Sequence, residues 1–135
     1  MSAKEKITTL LHTYETALNA SSASSITPLY TPSGVFMAQH FPTAIGHFAI
    51  QSTYDKTFEM ITLSVKFEIL EIEVMSEEWA FARTASKGKV KVNGGEGELE
   101  SEEGNQELFV LRKEDGGEGE WKIARYCFCS VMPPH

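Results

Sequence analysis

Few side chains in this 135-residue sequence combine a reactive type with a promising setting. Tyr14 lies on the apolar stripe of the first periodic segment. There its hydroxyl either finds a partner inside the core or donates a hydrogen bond to a ligand. His40 lies in the loop Gln39-His40-Phe41-Pro42. An imidazole of ordinary basicity can act as a general base near neutral pH, and the plainer reading is a solvated loop histidine. Gln106 alternates with Leu108 and Val110, which predicts that it faces inward. A buried amide needs partners, and a ligand, a water or a helix end could supply them. Arg83 shares a strand face with Trp79 and Phe81. It is expected either to pair with a carboxylate such as Glu107 on a neighbouring strand or to hold an anion.

The carboxylates are lopsided, since only Asp55 and Asp115 among the 19 acidic residues are Asp. Cys127 and Cys129 stand two apart on one strand face, a separation close to the limit for a disulfide, so reduced thiols are expected. With no further Cys and no spaced His, they make no zinc site, and no metal is expected. The glycines of 94–104 follow one strand and precede another rather than a helix, so they form no phosphate loop and no cofactor is expected. The net charge of −7 and the lack of a Lys/Arg cluster beyond Lys87-Gly88-Lys89-Val90-Lys91 argue against nucleic acid and anionic membrane as partners. No apolar run approaches the ~20 residues of a spanning helix, and the segment after Met1 is amphipathic rather than a secretory leader. A cytoplasmic location is the expectation.

The elements that must position these residues follow from periodicity. Ile7, Leu10, Leu11, Tyr14 and Leu18 form one stripe, predicting a helix over 3–19. A serine-rich break precedes a short second helix near Pro28, and Val35-Phe36-Met37 reads as a strand. Ile50, Tyr54, Phe58 and Ile61 predict a third helix. Everything beyond reads as strand, at 63–75, 78–92, 105–113 and 120–131. The apolar phase changes near Ile69-Leu70, which predicts a β-bulge and a curved sheet. Residues 93–104 are expected to be a mobile acidic hairpin loop in an otherwise single domain of 1–135, structured over about 5–131. The fold class is α+β. Leu108-Phe109-Val110-Leu111 and Tyr126-Cys127-Phe128-Cys129 are apolar on both faces, so a homodimer through the outer sheet face is expected.

Tyr14, Asn19-Ala20, Leu29-Tyr30, Gly34-Val35-Phe36 and Gly46 with Ile50, Tyr54 and Phe58 carry a resemblance in their order and spacing. Trp79 to Thr84, Asn105 to Phe109 and Trp121 to Tyr126 extend it. Together these residues resemble the SnoaL-like, SgcJ/EcaC-type branch of the nuclear transport factor 2-like, ketosteroid isomerase-like superfamily. The resemblance implies a cone in which a bent antiparallel sheet wraps three helices around an interior pocket. It also implies that Tyr14 is placed as the oxyanion-donating tyrosine of the isomerases. The isomerase base then falls at Ala38, which cannot accept a proton, and the second donor falls at Gln106.

The resulting expectation is a protein that binds or acts on an apolar, oxygen-bearing compound of polyketide or terpenoid type. Any catalysis would be acid–base isomerisation, cyclisation or dehydration. Tyr14, His40 and Gln106 are the candidate catalytic groups, and Phe36, Gln39, Tyr54, Phe58 and Arg83 the candidate ligand contacts. The alternative is a non-catalytic dimeric module whose cone is filled by Phe36, Met37, Tyr54, Phe58 and Met60.

Overall fold

A computed structural model describes residues 1–94 and 100–133. Helix α1 (Ala3–Asn19) starts at Ser2, whose side chain accepts the Glu5 N–H while the Glu5 carboxylate accepts the Ser2 N–H. It buries the expected stripe of Ile7, Leu10, Leu11, Tyr14 and Leu18. A short α2 (Ala23–Ile26) runs into a 3-10 turn, Thr27–Leu29, with Pro28 in its first turn. Strand β1 (Tyr30–Met37) and the two-residue β2 (Ala44–Ile45) lead into α3 (Gly46–Met60), which buries Ile50 and Tyr54.

Four long strands follow: β3 (Ile61–Val74), β4 (Trp79–Val92), β5 (Glu100–Lys113) and β6 (Trp121–Ser130). They belong to one six-stranded sheet in the order β2-β1-β6-β5-β4-β3, with the helices packed on its concave side. All pairings are antiparallel except β1 with β6, which is parallel. The sheet is therefore not purely antiparallel as expected, because the chain closes by laying its last strand beside its first. Strand β5 begins at Glu100, so the end of the expected acidic loop is strand, and residues 95–99 of that loop lie outside the described residues.

Curvature comes from local devices. The β3–β4 register slips between Ile69 and Glu71, so Leu70 is the extra residue of the expected bulge. A second slip opposite Val110 and Leu111 leaves Ala124 as the extra residue of β6. At Gly88 the two strands approach so closely that a Cβ would lie 2.0 Å from the Ser64 carbonyl oxygen and 2.7 Å from the Val65 Cα. A glycine there lets the sheet coil around the helices.

Side chains of α1 hold β3 in this curve. Asn19 donates to the Val65 carbonyl (2.8 Å) and accepts the Val65 N–H (2.9 Å), while Glu15 accepts the Phe67 N–H (2.7 Å). Replacing Gly88 with Ala forces the strand backbones apart. It is expected to cost about 3 kcal/mol in denaturant-induced unfolding, and a loss below half of that would mean that the crossing relaxes at little cost.

Candidate active site

Four tyrosines converge from separate elements: Tyr14 from α1, Tyr30 at the start of β1, Tyr54 from α3 and Tyr126 from β6. All four are buried. The Tyr54 hydroxyl lies 2.7 Å from the Tyr14 hydroxyl and 2.7 Å from the Tyr30 hydroxyl. Each phenol has one proton, so Tyr54 can donate to only one of these neighbours and accepts from any that donates to it. Tyr14 stands edge-on to Tyr54, Phe67, Phe109 and Tyr126, with ring centroids 5.5–6.3 Å apart. Phe36 stacks on Tyr54 at 4.6 Å and on Tyr126 at 5.5 Å. Contacts of this kind hold the rings beyond what burial of their area supplies.

Glu107 joins them from β5. It shares the inner face of that strand with Phe109 and Leu111, and Thr84 of β4 lies across from it. Its side chain is only 4% exposed. The Thr84 hydroxyl donates to Oε1 at 2.6 Å and the Ser86 hydroxyl to Oε2 at 2.5 Å. Burial disfavours the charged form and raises the Glu107 pKa, and the two hydroxyl donors pull it part of the way back. Burial likewise raises the Tyr14 pKa above that of a free phenol; the neighbouring hydroxyls of Tyr54 and Tyr126 oppose the rise, and the charge on Glu107 adds to it. Tyr14 is accordingly a protonated donor at every physiological pH.

Tyr14 and Glu107 open onto the same cavity of about 150 Å³. Phe36, Ala38, Tyr54 and Tyr126 line its walls, and Phe41, Phe128, Glu103 and Asn105 also border it. Among the described lining residues there is no Lys, Arg or His. Preorganised donors in a mostly apolar site are suited to an oxygen atom that carries or develops negative charge. Among the described residues no cluster of three or more His, Cys, Asp and Glu side chains could hold a metal ion.

The sequence-derived candidates divide clearly. Tyr14, Phe36 and Tyr54 line the cavity, as does Ala38, where the resemblance placed the missing base. Phe58 packs against Tyr54 at 6.0 Å but is not among the lining residues. Met37 and Met60, considered as plugs, are 41% and 51% exposed and leave the interior free. Gln39 and His40 line an open cleft that shares Glu103, Asn105 and Phe128 with the cavity. His40 is exposed there, with Nε2 2.9 Å from the Gln39 amide nitrogen, and does not reach the cavity.

Two orientations are corrected. Gln106 is exposed and donates its amide to the Cys129 thiol at 3.0 Å, because the inward positions of β5 are the odd-numbered ones. Arg83 also lies on the outer face, half-exposed, and pairs with Glu71 across the strand (2.7 Å), not with Glu107. The group that sequence reasoning missed as a cavity residue is Glu107. Its signal was the small polar pair Thr84 and Ser86, which follow Ala80 and Ala82 along the inner face of β4.

The raised pKa of Glu107 has a stability consequence. A carboxyl whose folded pKa exceeds its unfolded value contributes fully below the unfolded pKa, and that contribution is lost as pH rises through the folded pKa. Between pH 4.5 and neutrality, wild type should therefore lose stability relative to Glu107→Gln. Thermal unfolding of both proteins across that range checks this, and parallel melting curves would remove the buried-acid assignment.

No family model matches the chain, and no curated protein matches it. Solved structures do. A ketosteroid isomerase-like protein from Erwinia carotovora atroseptica is 31% identical, with 94% of this chain and 95% of that one covered and a TM-score of 0.87. A scytalone dehydratase-like protein from Novosphingobium aromaticivorans is 18% identical over 96% of this chain and 84% of that one, with a TM-score of 0.76. A nuclear transport factor 2-like protein from Shewanella oneidensis is 17% identical over 94% and 98%, with a TM-score of 0.72. The last two share the fold, whereas the first combines fold and identity over nearly the full length of both chains. With that match and its six-stranded curved sheet around α1 and α3, the chain belongs to the ketosteroid isomerase-like family and has the fold of the nuclear transport factor 2-like protein.

Proposed function

We propose that the protein binds, and acts on by acid–base chemistry, a small apolar compound bearing a carbonyl or phenolic oxygen, of polyketide or terpenoid type. The observation that carries this reading is the pairing of Tyr14 and Glu107 on one apolar cavity. In its protonated form Glu107 donates a hydrogen bond, as Tyr14 does, and two donors can share an oxygen that becomes enolate-like. When ionised, Glu107 is instead a proton acceptor close to the bound compound. Isomerisation, cyclisation and dehydration are within the reach of such a pair. A steroid isomerase step through residue 38 is not, because Ala38 carries no base.

Size narrows the occupant. A cavity of about 150 Å³ is comparable to an engineered apolar cavity that holds benzene. The occupant is thus a single ring, or one end of a longer compound that leaves through the side bordered by Glu103 and Asn105. We place the chain in the SnoaL-like, SgcJ/EcaC-type branch on the residues that carried the resemblance. We also propose that two copies pair through the outer sheet face, where Leu108 is 41% exposed beside partly exposed Phe81. Sedimentation at micromolar concentration should then give the mass of a dimer, and a monomer mass would remove that pairing.

Phenol and acetophenone are the first probes. Tyr14→Phe should weaken whichever binds by about 1–2 kcal/mol, the cost of losing a buried hydrogen bond, in calorimetric titration. An affinity that is unchanged in Tyr14→Phe would take Tyr14 out of the site.

A further inference from the structure

The inner cavity adjoins a second, polar space. This cleft of about 660 Å³ lies against the cavity of about 150 Å³, and Glu103, Asn105 and Phe128 border both. Gln39 and His40, which follow β1, Ser101 and Glu102 of β5 and Ser130 of β6 form its other walls. His40, Ser101 and Glu102 are exposed, and Glu103, Phe128 and Ser130 are part-exposed, so these side chains present surface to an incoming group.

Bonds within the cleft fix what it offers. Gln39 Oε1 accepts the Ser130 N–H, so the Gln39 amide nitrogen is the atom that faces His40 and donates to its Nε2. The imidazole proton then sits on Nδ1, and the ring carries no charge in this arrangement. Ser130 Oγ accepts the Met132 N–H and keeps its own proton for another acceptor. Of the about four acceptor positions on a carboxylate, the Asn105 amide takes one on Glu103. Among the described lining residues of the cleft there is no Lys or Arg to receive an anionic group.

We propose that the compound held by Tyr14 and Glu107 carries a neutral, hydroxyl-rich ring of sugar type outside the cavity, seated in this cleft. The inference rests on the function proposed above and adds the outer half of the substrate. A sugar hydroxyl both donates and accepts. Its protons suit the carboxylates of Glu102 and Glu103, its oxygens suit the hydroxyls of Ser101 and Ser130, and the carbon face of the ring has Phe128 beside it. Glu103 is four residues from Glu107 along β5, roughly 13 Å of strand, which leaves room for one aromatic ring before the sugar begins. A single ammonium group would suit the carboxylates too, but would fill little of the cleft.

The test compares 4-hydroxyphenyl β-glucoside with 4-methoxyphenol, which keeps the ring, its hydroxyl and the ether oxygen and lacks the sugar. Tyramine, which places an ammonium at that end, is the third probe. Titration calorimetry at physiological ionic strength on wild type, Ser101→Trp and Tyr14→Phe gives the affinities. Wild type should bind the glucoside about tenfold more tightly than 4-methoxyphenol, the net effect of one or two hydrogen bonds. An indole at position 101 should occupy the cleft and abolish that preference without weakening 4-methoxyphenol, whereas Tyr14→Phe should weaken both compounds by the same factor. Equal affinities in wild type would overturn the inference, as would a preference that survives in Ser101→Trp or a tighter grip on tyramine than on the glucoside. Should Ser101→Trp fail to fold, the wild-type comparison still decides. Tyr14-dependent binding without sugar preference removes this inference alone, whereas failure of all three compounds to bind removes the proposed function along with it.

Discussion

A phenol hydroxyl withdrawn from water must be bonded, and here the partners available to the tyrosines are largely one another. The hydroxyls of Tyr30, Tyr54 and Tyr14 form a chain that ties the first strand, the third helical segment and the first helix to a common point. An unpaired buried hydroxyl costs on the order of 1–3 kcal/mol, so a rotation of either long helix that broke the chain would be penalised twice. Edge-on packing against four rings then fixes the plane of Tyr14. The direction of its hydroxyl is consequently a property of the whole helix–sheet arrangement rather than of one rotamer.

Glu107 is the counterpart in tension with this apolar interior. Its carboxyl is held by two hydroxyls from the adjacent strand and by no cation among the described residues. A salt bridge would have fixed it in the ionised form. Hydroxyl donors leave both protonation states accessible, and burial moves the balance toward the acid. The functional centre therefore has a donor of fixed protonation, Tyr14, beside a group whose state follows pH and ligand.

The helices and strands were legible because their periods are strong. The stripe from Ile7 to Leu18, and the phase change at Ile69-Leu70, survive intact in the structure. Tyr14, Phe36 and Tyr54 were legible through their spacing. The sidedness of β5 was not, since Leu108 and Val110 are as apolar as Phe109 and Leu111 and alternation alone carries no sign. Gln106 read as inward because it alternates with Leu108 and Val110. Only the cross-strand hydroxyls of Thr84 and Ser86, which depend on the pairing register, make Glu107 tolerable within. The parallel pairing of β1 with β6 was hidden for a similar reason, as partner choice over some ninety residues leaves no local pattern.

The contacts from Asn19 and Glu15 to β3 have a meaning beyond curvature. Strand β3 runs for 14 residues at the border of the sheet, whereas the opposite border is the two-residue β2. A long border strand offers a row of open amides and carbonyls on which a foreign strand can grow. By engaging both backbone groups of Val65 and the amide of Phe67, helix α1 withdraws the middle of that row from intermolecular pairing. The same helix that presents Tyr14 to the cavity thus guards the chain against edge-to-edge aggregation, and loosening it would expose a template for assembly as well as disturb the site.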